Sequence, residues 1–295
     1  MNKEYSDYLK FIDNALALAK SLPRYFSKYS NKIYCNHQKL AIYVLMQKFK
    51  TTTRGIVSIL RASSDMRLHL GLLKVPVHTT IVRFVNKIRR CFHKLLGVRQ
   101  AHTVAVDATG FELESKSYYY RNITQNRFDY RRKTKKFMKL NVAVDTNTQS
   151  IMSYKMHKSR KHDSQSFQAL LKDLDVEYVL ADKGYSSKKN RHFVTNTLKA
   201  IPVIPKKVNE GDYYIKRGKI LEFDKKKYPK RNIVENVFFC IKRKYGSVLR
   251  NRTCATQKFE LISKLIAHNV DRMQYYLLLI IEGCTSAAKS NLYIS

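Results

Sequence analysis

At His102 the spacing of apolar residues along the chain changes, and that change limits the architectures open to it. Before it, apolar side chains recur three and four residues apart, as a helix with one buried face requires. Leu40, Ile42, Tyr43, Leu45 and Met46 form one such stretch, and Thr51, Thr52 and Thr53 offer a cap ahead of Ile56, Val57, Ile59 and Leu60. After Pro76 a third runs through Ile81, Phe84, Val85, Ile88, Phe92, Leu95 and Leu96, with Arg83, Lys87, Arg89, Arg90 and Lys94 on its other face. Beyond His102, β-branched and apolar runs at 103–107, 139–145, 151–157 and 177–181 have strand character. Helices separate the later ones. One is capped by Asp163 or Ser164 and passes through Phe167, Leu170 and Leu171; another is capped by Ser186 or Ser187 and passes through Phe193, Val194 and Leu198, ahead of a short strand at 201–204. Range 206–227, with Gly211 and Gly218, reads as a small hairpin excursion. A long helix is expected from near Arg231, and a final one over about 257–281. The fold class that follows is α/β: a mixed sheet flanked by helices, preceded by a small helical domain.

Charge narrows the partners. The chain has 295 residues, with 57 Lys and Arg against 22 Asp and Glu, a formal charge of +35. Such an excess calls for a polyanion. With 44% apolar residues the chain can still bury a core, so it is not a disordered basic tail. Cys35, Cys91, Cys240, Cys254 and Cys284 are scattered without close pairs, which suits reduced thiols and a cytoplasmic location better than a disulfide framework or a zinc site. Glu4, Asp7 and Asp13 break the layout of a signal peptide, and the apolar run at 275–281 is far short of the roughly 20 residues that span a bilayer. Nucleic acid is therefore the expected partner, with an anionic membrane surface as the alternative. The basic helical face before residue 100 fits a helix-turn-helix-like DNA reader, or simply a solvated face.

Two of the expected strands run into an Asp just before a turn that contains Gly: Asp107 before Ala108-Thr109-Gly110, and Asp182 before Lys183-Gly184-Tyr185. Asp favours turns, so neither is informative alone. Asp145 reads as a solvated strand end, Asp163 as a helix cap and His162 as a structural donor. A third carboxylate changes the weight of the first two. On a helix from Arg231, the side chains of Arg231, Glu235, Phe238 and Lys242 stack on one face, so a Glu is held between two cations. Val234, Val237, Phe239 and Ile241 of the same stretch are available for burial against a sheet.

The spacing of Tyr228, Arg231, Glu235 and Lys242 resembles the Tyr-x2-Arg-x3-Glu-x6-Lys motif of bacterial and archaeal insertion-sequence transposases, in groups four and five of the DDE superfamily. Asp182-Lys183-Gly184-Tyr185 is similar to that family's second-Asp motif, and Val106-Asp107 to its first. The resemblance covers about residues 100–250, and the stretch from Leu70 to Ile81 looks like the segment preceding the catalytic domain. It implies an RNase H-like core and a DNA transposase that binds the terminal inverted repeats of its element, cuts there and joins 3′ ends to target DNA. Asp107, Asp182 and Glu235 become the catalytic acids and ligands of two Mg2+ ions, with Mn2+ as a substitute. Tyr228, Arg231 and Lys242 become contacts to DNA phosphates. Double-stranded DNA and a second copy of the chain are the implied partners, with no membrane role. The domain layout expected on this basis is a helical DNA-binding domain at 1–100, a catalytic domain at 101–282 with its short insertion at 206–227, and a tail at 283–295. Glu235 follows Asp182 by only 53 positions, which leaves no room for the large β-rich insertion some members carry.

Between the first two expected strands, residues 116–139 interleave nine Lys and Arg, among them Arg131, Arg132 and Lys133, with six Tyr and Phe. Cations for phosphates and rings for unpaired bases are what a frayed DNA end requires. Reversing the charge of Arg131, Arg132 and Lys133 together is expected to weaken DNA binding without altering the metal requirement. The dependence of affinity on salt should flatten as well, by about one unit of log–log slope for each phosphate that is no longer neutralised. A filter-binding or anisotropy titration over a range of salt concentrations checks this; unchanged affinity would remove the patch.

Overall fold

The structure, a computed structural model, describes residues 3–88, 95–96, 99–114, 137–158, 162–206, 215–216, 219–220 and 224–291. The basic stretch with Arg131, Arg132 and Lys133, the residues Arg89, Arg90 and Lys94, and the side chains of the 275–281 run lie outside the described residues. The chain divides into two compact units, one of residues 1–96 with 262–295 and the other of residues 97–261.

The first unit is helical: α1 (Lys3–Ala19), α2 (Asn36–Lys48), α3 (Thr53–Ala62), α4 (Ser64–His69) and α5 (His78–Ile88). Starts of three of these have a local cause. Cys35 and Gln38 form a capping box at α2, the Thr52 hydroxyl accepts from Gly55 N at 3.1 Å at α3, and the Ser63 hydroxyl accepts from Met66 N at 3.3 Å at α4. Phe11, Ile12, Leu40, Leu45, Ile56, Leu60 and Ile81 are fully buried. On α5, Arg83 and Lys87 face solvent while Phe84, Val85 and Ile88 are buried, as the amphipathic pattern requires.

In the second unit, β1 (Gln100–Leu113), β2 (Phe137–Asp145) and β3 (Ile151–His157) form an antiparallel meander. β4 (Asp175–Ala181) adds parallel to β1, and β5 (Ile201–Val203) parallel to β4, giving the order β3-β2-β1-β4-β5. This is the mixed, RNase H-like sheet that the sequence led us to expect. Its centre is apolar: Val104, Val106, Ala143, Val179 and Ala181 pack with Phe167, Leu170 and Leu171 of α6 (Phe167–Leu171). α7 (Lys188–His192) follows β4, and the short strands β6 (Ile215–Lys216) and β7 (Lys219–Ile220) pair as the small hairpin. α8 (Ile233–Tyr245) ends at Gly246, whose φ of 89° stops the helix, and the chain returns through β8 (Val248–Leu249) to pair with the end of β1. α9 (Cys254–Asn291) is longer than expected at both ends. Among the described residues no helix is long and apolar enough to cross a membrane.

Several local expectations are corrected. β1 does not end at Asp107: its pairing with β2 continues to Glu112, so Ala108, Thr109 and Gly110 are strand rather than turn. Asp145 is buried, not solvated; its carboxylate accepts from the backbone of Asn147 and Thr148 at 3.0 and 3.2 Å and from the Thr148 hydroxyl at 2.6 Å, which ties the β2–β3 turn. Asp163 does not cap. His162 does, its ring accepting from Ser164 N at 3.4 Å, while Asp163 pairs with Lys139 of β2. Tyr228–Asn232 form a 3-10 turn, and the α-helix starts at Ile233, two residues beyond Arg231.

Candidate active site

β1 and β4 run parallel with Val106 opposite Ala181. The next residue in each chain segment is an acid, so the register alone brings Asp107 and Asp182 side by side near the carboxyl end of β4. Asp107 is inside a central strand, and its side chain is 23% exposed. Its own Oδ1 accepts from Ala108 N at 2.8 Å. Asp182 lies just past β4 and is exposed, and its carboxylate accepts from Lys183 N at 2.6 Å at the head of a 3-10 turn.

Two buried polar side chains of α7 brace that turn. Arg191 is 3% exposed. Its guanidinium donates to Ser186 Oγ at 2.6 Å and to the carbonyls of Ile204 and Pro205 at 3.0 and 3.1 Å, joining the turn after Asp182 to the end of β5. Asn190 donates to Tyr185 O at 2.9 Å and Ser164 Oγ at 3.0 Å. Neither residue stands out in the sequence, because the carbonyls that Arg191 reaches are 13 and 14 residues away.

Glu235 arrives from the other direction, in the first turn of α8, where the helix dipole favours a carboxylate. Val234, Val237, Phe238, Ile241 and Tyr245 are the stripe that α8 buries. Phe238 is therefore core and Phe239 is 62% exposed, the reverse of the expected assignment. Successive β-strand side chains alternate between faces, so Asp107, Thr109 and Phe111 share one face of β1. Lys242 Nζ donates to Thr109 Oγ1 at 2.7 Å and stands 5.5 Å from the centroid of the Phe111 ring, which fixes α8 against that face.

Arg231 joins the acids. Its Nη2 donates to Glu235 Oε1 at 2.7 Å, and its Nη1 is 3.6 Å from Asp107 Oδ2. Burial opposes the guanidinium charge, but the hydrogen bond and charge of Glu235, then Tyr228 and Asp107, outweigh it and hold Arg231 above its ordinary value. Burial raises the Asp107 carboxyl; the Ala108 amide and Arg231 pull it back, while Glu235 and Asp182 push it up, and the net shift is upward. Burial first, then Asp163, Asp107 and Asp182, push the Tyr185 phenol up, so it stays protonated. Tyr185 Oη is buried and has no hydrogen-bond partner among the described residues, and neither has Arg231 Nε.

The structure thus brings Asp182, Glu235 and Arg231 within electrostatic reach of Asp107, and Tyr228 within reach of Arg231, with Lys242 farther along the same strand face. Among the described residues, no three His, Cys, Asp or Glu side chains are gathered tightly enough to hold a metal ion. The donor set nevertheless suits one. It is all hard oxygen, a guanidinium stands between two of its members, and a buried phenol beside it lacks a partner among the described residues.

The family described as transposase DDE domain matches residues 99–270. No curated protein sequence matches the chain. Among solved structures the chain is similar to the piggyBac transposase in a synaptic complex with hairpin DNA, determined by cryo-EM. That likeness has 10% identity and a TM-score of 0.45, and covers 92% of this chain and 72% of that one.

A carboxyl raised by folding is protonated more readily in the native than in the unfolded chain, so its contribution to stability falls as pH rises from the ordinary aspartate range through the raised native value. Asp107→Asn removes that loss. The variant is expected to melt above the wild type at pH 7, and its relative gain should vanish at pH values below the ordinary aspartate range, where both states are protonated. Melting curves across pH check this; a variant less stable at pH 7 than at low pH, relative to wild type, would contradict it.

Proposed function

The chain belongs to the transposase DDE domain family, and from that premise we propose that it is a DNA transposase of the insertion-sequence type named by its Tyr228, Arg231, Glu235, Lys242 spacing. It binds the terminal inverted repeats of its element, cleaves there and joins 3′ ends to target DNA. The observation that carries the reading is the convergence on Asp107, which the β1–β4 register sets beside Asp182 and which shares the Arg231 guanidinium with Glu235.

Members of this family generally use divalent metal ions. Asp107, Asp182 and Glu235 are the residues that would hold Mg2+, or Mn2+ in its place. When bound, such ions supply activation of the attacking oxygen and stabilisation of the leaving one. The remaining roles belong to the chain. Asp107 provides the fixed point, because it sits in a central strand paired on both sides. Glu235, 54% exposed and on a helix, is the adjustable acid. Arg231 balances the carboxylates and, with Tyr228 and Lys242, offers donors to the phosphates beside the scissile bond. The nucleophile is water or a DNA 3′-hydroxyl, so no protein side chain needs to form a covalent intermediate.

The partners on this reading are the element ends and target DNA, which the +35 charge suits. Pairing two ends requires at least two copies of the chain in the active complex. The setting is the cytoplasm, where such DNA is met.

Glu235→Gln keeps the size and a hydrogen-bonding oxygen but removes the charge. It is expected to reduce cleavage of a duplex carrying the inverted repeat to background while leaving DNA affinity within about twofold of wild type. Unaltered cleavage would remove Glu235 from the site. Precleaved ends incubated with target DNA and Mg2+ separate the chemistry further: joined product supports a transposase, cleavage without joining marks an RNase H-like nuclease, and binding with neither marks a DNA-binding protein that only retains the fold.

A further inference from the structure

Phe239 is the one large apolar side chain in the 97–261 unit that is exposed among the described residues; the others so exposed, from Phe26 to Met273, all belong to the first unit. A singly exposed apolar residue is ordinary on a protein surface. Its position is what distinguishes it. α8 buries Val234, Val237, Phe238, Ile241 and Tyr245, keeps Ile233 and Cys240 half-buried, and leaves this ring out at 62% exposure, one helical turn beyond Glu235 and on the same side of the helix. One turn further on, the Arg243 guanidinium stands 5.8 Å from the ring centroid. Lys242 and Lys244 flank that Arg in the sequence, so the last turn of α8 is rich in cations, with Arg243 the one beside the ring and Lys242 turned to Thr109.

An exposed aromatic face bordered by a cation accepts an unpaired nucleobase: the ring stacks on the base, and the guanidinium meets a phosphate beside it. The same charges make a second copy of this chain, itself at +35, the poorer occupant. We propose that Phe239 is a stacking platform for an unpaired base next to the phosphate handled at Asp107 and Glu235, which makes it a positioning residue for DNA ends that are frayed or already cut. The inference rests on the reading of the chain as an enzyme acting on DNA, and it adds what that reading leaves open: a preference for single-stranded over fully paired DNA beside the acids. Stacking explains why Phe239 is exposed whereas Phe238, its neighbour in the sequence, is core.

The chain contains no Trp, so Phe239→Trp creates a single fluorescent reporter at the position in question. Two oligonucleotide duplexes of equal length are compared, one blunt and one ending in a short single-stranded overhang, with affinity followed by anisotropy. The overhang is expected to quench the Trp emission strongly and the blunt duplex weakly. Phe239→Ala is expected to bind the overhang duplex about tenfold more weakly, within the range that base–aromatic stacking spans, and to keep its affinity for the blunt one. Equal quenching by the two duplexes, or none while both bind, would overturn the platform and leave the proposed function standing. Failure of the wild-type chain to bind either duplex would instead remove the proposed function. Quenching that depends on protein concentration without DNA would assign the ring to self-association and overturn the platform as well.

Discussion

One guanidinium makes the rest of this site possible. Asp107, Asp182 and Glu235 are like charges drawn together by the fold, and Asp107 is already held above its usual range by burial and by the other two acids. Without a cation among them that arrangement would oppose folding. Arg231 supplies it, with Nη2 at 2.7 Å from Glu235 and Nη1 at 3.6 Å from Asp107. The pairing is unequal, close to the exposed acid and looser to the buried one. Its Nε has no hydrogen-bond partner among the described residues, so the cation is held by charge more than by complete hydrogen bonding.

The scaffold that brings the acids together is built from register and a few buried polar contacts. The β1–β4 pairing fixes Asp107 beside Asp182, and a slip by one residue would turn Asp107 to the opposite face. Arg191 ties the turn after Asp182 to the end of β5 through three hydrogen bonds. Since hydrogen bonds to charged groups are worth about 1.5–3 kcal/mol each, this clamp outweighs the exposed ion pairs elsewhere on the unit, whose usual worth is about 0–1 kcal/mol. On the other side, Lys242 and Thr109 pin α8 along β1. Asp107 is therefore fixed within the sheet, and Glu235 is presented at the exposed start of a helix held against it.

Much of this was legible in the sequence because it is periodic. The change of apolar spacing at His102 marks where strands begin, and the β2, β3 and β4 segments lie where β-branched runs fall. What misled was chemistry that only three dimensions reveal. Ala108-Thr109-Gly110 has the composition of a turn, but β2 offers ladder partners to all three and β8 pairs with Glu112 and Leu113 just beyond, which keeps the chain extended. Asp145 looks like a solvated strand end, yet its hydrogen bonds to Asn147 and Thr148 let it be buried. The exchange of Phe238 and Phe239 did have a sequence signal, hidden when the helix is counted from Arg231: Val234, Val237, Phe238, Ile241 and Tyr245 already form a complete helical stripe without Phe239. Arg191 had no such signal, since two of its partners are backbone carbonyls that become neighbours only after β5 has joined the sheet.

If three acids from two strands and a helix serve as one ligand set for a divalent cation, removing any one of them must weaken the hold of all. Calorimetric titration with Mn2+ of the wild-type chain and of Asp107→Asn, Asp182→Asn and Glu235→Gln tests this without recourse to catalysis. Binding by the wild type that is abolished or weakened at least about tenfold in each of the three variants is the expected result. Mn2+ binding that survives unchanged in Asp182→Asn or Glu235→Gln would show that the acids do not work together and would overturn the metal-dependent reading of the site.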